Sequence, residues 1–450
     1  MIHKFNFEDA NIVMDVNSGS VHIVDELIYE IIEDVLLLCK EDVLDKYKHK
    51  YNVDDISEAI EEISELKEQE MLDTEDTYKN LIPAFLDRTP VVKALCLHVA
   101  HDCNLACKYC FAGEGEYHGS RGLMSFDVGK ASIDFLIKNS GARKNIEVDF
   151  FGGEPLMNFD IVKQIVKYAR EQEKEHNKNF RFTLTTNGVL LNDEIIDFLN
   201  EHMHNVVLSL DGRPQVNDKM RPTRNGKGSY NIILPKFKQL VEKRNHKKYY
   251  IRGTFTHHNL DFSKDVLHMA DMGFNEISVE PVVAPNNMSY SLKEQDIEIL
   301  CNEYETLAKE MLKRYKKDGK CFNFFHFMID LTQGPCVYKR LSGCGSGTEY
   351  LAVTPEGDLY PCHQFVGIEE FKMGDIFKGV ENIEKRLEFE KYNVYSKEEC
   401  AQCWSKFFCS GGCAANSYNF NQNINSTYKI GCDLQKKRLE CAIGLQAKNS

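Results

Sequence analysis

The first 66 residues alternate between apolar and polar positions and then change to helical spacing. Alternation over residues 3–7 and 12–16, a turn at 17–20 and a third run through Ile23 predict three short strands. Apolar residues at three- and four-residue spacing then predict three helices, over residues 27–38, 43–47 and 56–66. Strands followed by helices in this order predict a small winged-helix-like domain.

From residue 93 the pattern changes to six strand-like apolar runs that alternate with helical segments. The predicted strands cover residues 94–99, 146–151, 181–185, 206–210, 250–255 and 276–279. The clearest helical patterns between them cover residues 128–138, 160–173, 193–202 and 263–272. Because parallel strands require right-handed crossovers, this alternation predicts an α/β fold, either a doubly wound sheet or an open barrel.

Two further segments divide the chain into three predicted domains. Residues 68–90 are charged or turn-prone and predict a linker, and a long helix is predicted over residues 293–317. The remainder is irregular and rich in Cys and Gly. We therefore expect domains over residues 1–85, 86–315 and 316–450.

The charge of the chain is concentrated in the first domain. The 450 residues carry 55 basic and 69 acidic side chains, and residues 1–80 alone hold 22 acidic and 7 basic ones. This distribution offers no basic face for nucleic acid, which we do not expect as a partner. No signal peptide or membrane-spanning run is evident, so we expect a cytoplasmic protein without a membrane partner. In a reducing compartment, the 16 Cys indicate metal or redox chemistry.

The first cluster of thiols follows the first strand of the second domain. Cys103, Cys107 and Cys110 form a CxxxCxxC pattern. Three Cys can bind three irons of a [4Fe-4S] cube and leave the fourth iron open to a small ligand. A zinc site is the alternative, but zinc usually has four ligands, and only His98 and His101 precede the loop.

This loop resembles the CxxxCxΦC motif of the radical S-adenosylmethionine (SAM) enzymes, in which the aromatic position Φ is Tyr109. The resemblance implies a partial (β/α)6 barrel of the TIM type, with SAM bound to the open iron. Gly152, Gly153 and Glu154, followed by a Pro, resemble the GGEP motif of that family, which lies against the amino group of SAM.

Other segments resemble the parts of this family that lie near the ribose and carboxylate of SAM. They contain Asn187, in a Thr-Asn-Gly run, and Ser209, in a Ser-Leu-Asp-Gly run. Arg252 is a candidate for binding the SAM carboxylate, and a structural ion pair is the open alternative. The predicted cofactor-binding residues are therefore Tyr109, Gly152, Gly153, Glu154, Asn187, Ser209 and Arg252.

The last third of the chain resembles the SPASM extension of radical SAM peptide-modifying enzymes, which has seven Cys in this order. The resemblance implies two auxiliary [4Fe-4S] clusters, giving three in all. One would be held by Cys400, Cys403, Cys409 and Cys432, and the other by Cys344, Cys362 and Cys413. We call the set of Cys344, Cys362 and Cys413 the first auxiliary site. Cys336 lies eight residues before Cys344 and could close this site, but we favour an open iron. Two structural zinc ions are the alternative.

This order of domains resembles the thioether-forming maturases of Cys-rich peptides, particularly those that act on six-cysteine (SCIFF-type) peptides. The resemblance implies that a 5′-deoxyadenosyl radical removes a hydrogen atom from the peptide. A Cys thiolate then couples with the resulting carbon radical to form a thioether (sactionine) crosslink, and the surplus electron leaves through the clusters. The resemblance also implies a precursor peptide whose leader binds the first domain, and an electron donor such as flavodoxin or ferredoxin. We name no catalytic acid or base. The alternatives are an anaerobic sulfatase-maturating enzyme, which forms formylglycine, and a non-enzymatic metal-binding scaffold.

Overall fold

The head of the protein, residues 1–75, contains three strands and three helices where the sequence predicts them. The computed structural model describes every residue except 114, 118, 120, 286, 333–335 and 450, and the side chain of residue 449. The elements of the head are Ile2–Phe7 (β1), Ala10–Asp15 (β2), Val21–Val24 (β3), Glu26–Leu37 (α1), Lys40–Tyr47 (α2) and Val53–Glu68 (α3). The strands form an antiparallel sheet in the order β1-β2-β3, and Asp25 and Asn52 cap the amino ends of α1 and α3. Its assignment as a winged helix stays a prediction.

Six parallel strands form the centre of the second domain, as the sequence predicts. They are Ala94–Ala100 (β4), Asn145–Gly152 (β5), Asn179–Thr186 (β6), Asn205–Ser209 (β7), Tyr249–Phe255 (β8) and Glu276–Pro281 (β9). Each strand pairs with the next one along the chain, so the order never reverses. A doubly wound sheet reverses its strand order and is therefore wrong. The partial barrel stays a prediction that agrees with this order.

Helices cover one face of this sheet and leave the other face polar. They are Phe126–Asn139 (α5), Phe159–His176 (α6), Asp193–His202 (α7), Pro214–Met220 (α8), Tyr230–Lys243 (α9) and Phe262–Asp271 (α10). The preceding helix, Ile82–Asp87 (α4), lies in the linker and packs through Phe85 against Leu341 and Val394. Alternate residues of the strands, such as Leu97, Phe150 and Leu184, lie in the main hydrophobic core. The opposite face, which we call the inner face, carries His98, Thr185, Ser209, Arg252 and Glu280.

The last part of the chain extends the same sheet at both edges. Its strands are Asn323–Phe324 (β10), Tyr350–Val353 (β11), Asp358–Tyr360 (β12), Gly374–Asp375 (β13) and Gly379–Val380 (β14). Strand β10 pairs with β9, and β11 pairs in parallel with β4. The predicted domain boundaries at residues 85 and 315 stay predictions, but the sheet itself continues past the second one.

The C-terminal helix connects the head to the rest of the molecule. The last seven helices are Ile297–Asp318 (α11), Val337–Ser342 (α12), Ile383–Glu390 (α13), Glu398–Ala401 (α14), Lys406–Cys409 (α15), Ala414–Asn421 (α16) and Lys429–Asn449 (α17). Phe7 of β1 packs onto Gly444 of α17, and the His3 ring is 3.0 Å from Glu440. Within the described part of the chain, no helix is long and apolar enough to cross a bilayer.

We predict that Gly444→Ala destabilises the contact between head and body. A Cβ atom at Gly444 would lie 2.3 Å from Cγ of Phe7. In an exposed helix interior the same change stabilises by about 1 kcal/mol, so a loss of about 1–3 kcal/mol in urea unfolding indicates steric conflict. The matched test is the Phe7→Ala background, where Gly444→Ala should no longer destabilise. Equal effects in both backgrounds would contradict the contact.

Candidate active site

The CxxxCxxC loop lies over one cavity at the carboxyl ends of the parallel strands. Cys103, Cys107 and Cys110 all line this cavity. Burial raises the pKa of the Cys103 thiol to about 12 and that of Cys107 to about 11. The other lining residues include Tyr109, Gly152, Gly153, Glu154, Thr186, Asn187, Ser209 and Arg221. The strand order therefore brings together six of the seven predicted cofactor-binding residues, the exception being Arg252.

Two glycines let the turn after β5 contact the cysteine loop directly. The Gly153 amide donates to the carbonyl oxygen of Ala100 at 2.8 Å, and the Glu154 amide donates to that of Asp102 at 2.8 Å. A Cβ atom at Gly153 would lie 2.2 Å from the Asp102 carbonyl oxygen, and Gly152 has φ +124°. These positions require glycine for the close backbone approach, as the GGEP resemblance implies.

Glu154 is a buried carboxylate that neighbouring strand ends hold in place. Its oxygens accept hydrogen bonds from the Thr186 hydroxyl and the Asn187 backbone N–H, both at 2.8 Å, and from the Leu156 backbone N–H at 3.1 Å. Burial nevertheless raises the pKa of Glu154 to about 7, because these bonds offset only part of the cost of burying the charge. A cationic group placed beside Glu154 would stabilise its ionised form.

Arg221 is the site residue that the sequence analysis missed. It is buried, one of its nitrogens donates to the Tyr109 hydroxyl at 2.8 Å, and the Tyr109 hydroxyl donates to Asp211 at 2.8 Å. Its Nε has no hydrogen-bond partner among the described atoms. A buried guanidinium with an unused donor fits an anionic ligand group. Nothing in the local sequence distinguishes this Arg, because only the tertiary structure brings it to Tyr109.

Asn187 lies beside the cysteine loop, whereas Arg252 lies in an ion pair. The Asn187 side-chain nitrogen lies 2.7 Å from the Asn104 side-chain oxygen and 3.6 Å from the Cys103 sulfur. Arg252 instead donates to Glu280 at 2.7 Å, which is the ion-pair alternative raised by the sequence. The role of each of these residues in binding SAM stays a prediction.

The seven cysteines of the C-terminal domain affect one another electrostatically. Burial raises the pKa of Cys362, and the neighbouring thiols Cys413 and Cys344 raise it further. Burial likewise raises the pKa of Cys432 to about 12, with additional contributions from Cys409, Cys400 and Cys403. The assignment of the seven thiols to two auxiliary clusters stays a prediction.

Cys336 and Trp404 are two further residues of the C-terminal part whose surroundings bear on the predicted sites. Cys336 is exposed at the amino end of α12, and it stays open whether it closes the first auxiliary site. Trp404, between Cys403 and Cys409, stacks on His3 of the head at 3.7 Å between ring centroids. The head therefore contacts the cysteine segment directly.

The donor set fits the cofactors that the fold implies. Among the described residues, no three His, Cys, Asp or Glu side chains come close enough to hold a single metal ion. A [4Fe-4S] cube has a different requirement, because each Cys binds its own iron. Next to the first three thiols, the cavity offers the buried carboxylate of Glu154 and the buried guanidinium of Arg221. This pair fits the amino and carboxylate groups of an amino acid, and SAM carries both.

Comparisons with known proteins agree with this site. Residues 92–235 match a family described as a 4Fe-4S single cluster domain, and residues 344–404 match SPASM, an iron-sulfur cluster-binding domain. A Cys-type anaerobic sulfatase-maturating enzyme of Clostridium novyi is 26% identical over 359 aligned positions, and the match covers 75% of this chain and 92% of that protein. The chain is a radical SAM enzyme with a SPASM domain. A non-enzymatic scaffold is therefore wrong.

Two solved structures share the fold of this radical SAM enzyme to different extents. The structure of anSMEcpe with bound AdoMet has a TM-score of 0.66 at 20% identity and covers 80% of this chain and 99% of its own. Streptococcus suis SuiB bound to its precursor peptide SuiA has a TM-score of 0.56 at 15% identity and covers 96% of this chain and 98% of its own. The part of the enzyme outside the anSMEcpe match amounts to about the length of the head.

We predict that Gly153→Ala in this radical SAM enzyme displaces the cysteine loop. The new methyl group would conflict with the Asp102 carbonyl, next to Cys103. After anaerobic reconstitution, the variant should hold less iron than the wild type and cleave SAM about 100-fold more slowly, because small displacements at a reactive centre are costly. Gly119→Ala is the control, since its Cβ would meet its nearest atom at an ordinary 3.6 Å. Wild-type iron content in Gly153→Ala would contradict the prediction.

Proposed function

We propose that this radical SAM enzyme installs a Cys thioether crosslink in a ribosomally made Cys-rich precursor peptide. The observation that carries the proposal is the head of three strands and three helices, which contacts the cysteine segment of the SPASM domain through the stacking of His3 on Trp404. The 96% coverage by peptide-bound SuiB, against 80% by anSMEcpe, supports a function that uses this domain. The SCIFF-type substrate class belongs to the same proposal.

The head offers an edge strand to a leader peptide. Strand β3 pairs with β2 on one side only, and its other side has no strand partner among the described residues. Helix α17 contacts both edge strands, β1 more extensively than β3. Ile23 of β3 is 54% exposed. An extended leader can add to such an edge through backbone hydrogen bonds, and apolar side chains beside it provide further contact. The leader would thereby hold the rest of the peptide close to the body of the enzyme.

The residues of the cavity would bind and orient SAM. Glu154 would accept from its amino group, Arg221 would donate to its carboxylate, and Cys103, Cys107 and Cys110 would hold a [4Fe-4S] cluster. Together, cluster and SAM supply the 5′-deoxyadenosyl radical that removes a hydrogen atom from the peptide. Two further [4Fe-4S] clusters would occupy the SPASM thiol groups. An electron donor such as flavodoxin or ferredoxin completes the proposed set of partners.

The first auxiliary site supports thioether formation. Its proposed ligands are Cys344, Cys362 and Cys413, and Cys336 is exposed at the amino end of α12. Three protein thiolates leave one iron of a cube open, and a substrate thiolate bound there would be deprotonated and fixed in position. The similarity to a sulfatase-maturating enzyme favours formylglycine formation as the second candidate.

Mass spectrometry of a synthetic precursor peptide tests the proposal. The peptide comes from a short Cys-rich reading frame next to the gene and is incubated with reconstituted enzyme, SAM and dithionite. We expect the loss of two hydrogens per crosslink and one Cys fewer that reacts with iodoacetamide. Cys103→Ala, Cys107→Ala and Cys110→Ala, combined in one control protein, should form no product. A product that loses sulfur and reacts with hydrazide reagents would favour formylglycine instead.

We predict that Ile23→Asp weakens peptide binding through the head. The substitution places a charge on the exposed edge strand β3 and should raise the Kd of the precursor peptide about 10-fold, measured by fluorescence anisotropy. Leu37→Asp on α1 is the matched control, because Leu37 is 82% exposed in the same domain but away from the strand edge. Cleavage of SAM without peptide should be unchanged in both variants. Equal peptide affinities of the two variants would contradict leader binding at β3.

A further inference from the structure

Arg252 and Glu280 form an ion pair on the inner face of the parallel sheet. An Nη atom of Arg252, on β8, donates to a carboxylate oxygen of Glu280, on β9, at 2.7 Å. Both side chains remain accessible, at 43% and 37% exposure. The described contacts use one donor of the guanidinium and one oxygen of the carboxylate. The pair therefore retains unused donors and an unused acceptor that face open space.

The strand register places this pair beside the SAM cavity. Arg252 is the register partner of Ser209, which lines the cavity, and side chains at partnered positions of parallel strands point to the same face. Glu280 lies two residues beyond Ser278, the register partner of Arg252, on the same face of β9. Arg252 thus lies midway along β8 and Glu280 near the carboxyl end of β9, on the same face as Ser209, which lines the cavity.

The segment of the first auxiliary site also borders the cavity. His363, which follows Cys362, packs against Phe151 at 5.1 Å between ring centroids, and Phe151 lines the cavity. A peptide that reaches both SAM and the first auxiliary site would therefore run along the inner face, which carries the pair.

Other residues keep the pair charged. Partial desolvation by the surrounding protein acts to raise the pKa of Glu280, but the cationic Arg252 and Arg438 outweigh it and lower this pKa to about 2. His326 is hydrogen-bonded to Ser278 at 3.2 Å and to Arg438 at 2.9 Å. Burial lowers the pKa of His326 to about 3, so its imidazole is neutral near pH 7. Glu280 is therefore ionised, and its acceptor oxygen is available to a ligand.

We propose that Arg252 and Glu280 form a subsite that binds one backbone peptide unit of the substrate on the inner face, beside the SAM cavity. We call this cavity and the adjoining inner face the reaction chamber. A peptide unit carries an acceptor, its C=O, and a donor, its N–H, on opposite sides. Arg252 would donate to the C=O, and Glu280 would accept from the N–H of the same or the next residue. A charged side chain fits less well, because one member of the pair would repel it. The subsite recognises backbone and not sequence, and it rests on the proposed function.

Steady-state kinetics with the synthetic precursor peptide test this subsite. Arg252→Gln and Glu280→Gln should each raise the KM for the peptide about 10-fold, as expected for losing a hydrogen bond to a charged group. The Kd for SAM, measured by equilibrium dialysis, should stay at the wild-type value. Arg314→Gln, which breaks an ion pair with Asp271 on the outer helices, is the control and should leave both constants unchanged. A direct readout is the Kd of a fluorescent leaderless core peptide, which should rise about as much as KM.

A charge exchange separates substrate binding from a structural role. The double variant Arg252→Glu/Glu280→Arg restores the ion pair but reverses donor and acceptor, so we expect its KM to stay raised. Recovery of the wild-type KM would overturn the subsite in favour of a structural ion pair. A weakened SAM affinity in Arg252→Gln, matching that of Arg221→Gln, would also overturn it and assign Arg252 to the SAM carboxylate.

The wild-type enzyme decides between failure of the subsite and failure of the proposed function. If the wild type modifies the peptide and the Arg252 and Glu280 variants keep its KM, only the subsite is overturned. If the wild type does not modify the peptide, the proposed function fails and the subsite fails with it.

Discussion

The parallel pairing of β4 with β5 holds together the two segments from which the active site is built. The cysteine loop begins where β4 ends, and the glycine turn begins where β5 ends. Their backbones are joined by the hydrogen bonds of Gly153 to Ala100 and of Glu154 to Asp102. Any side chain at these glycines would separate the loops. The chemistry of the thiols and the carboxylate therefore depends on a backbone contact that only glycine permits.

The charged groups at the site are buried, and their hydrogen-bonding partners compensate only part of the cost of burial. Glu154 accepts three hydrogen bonds, and its pKa is nevertheless raised. Arg221 is held by Tyr109 and keeps a free Nε. A cavity with one unneutralised carboxylate and one partly used guanidinium suits a zwitterionic ligand and would be costly without it.

Helix α17 makes the head part of one assembly with the reaction chamber. Along this single helix, Cys432 is a predicted cluster ligand, Arg438 contacts His326 at the inner face, and Glu440 and Gly444 contact the head. The stacking of His3 on Trp404 adds a second contact with the cysteine segment. A peptide bound to the head would thus be held at a fixed distance from the clusters, which raises its effective concentration at the site.

The positions of the strands and helices, the types of ligand and the class of chemistry follow from local patterns. Strand alternation, helical periodicity and the spacing of Cys103, Cys107 and Cys110 are local properties, because a few neighbouring residues produce them. Features that depend on long-range contacts appear only in the folded chain. The fold places Arg221 and not Arg252 among the cavity residues, and it continues the sheet past residue 315. These features arise from pairings between residues far apart in the chain, and no local pattern encodes which distant partner a strand or side chain will meet.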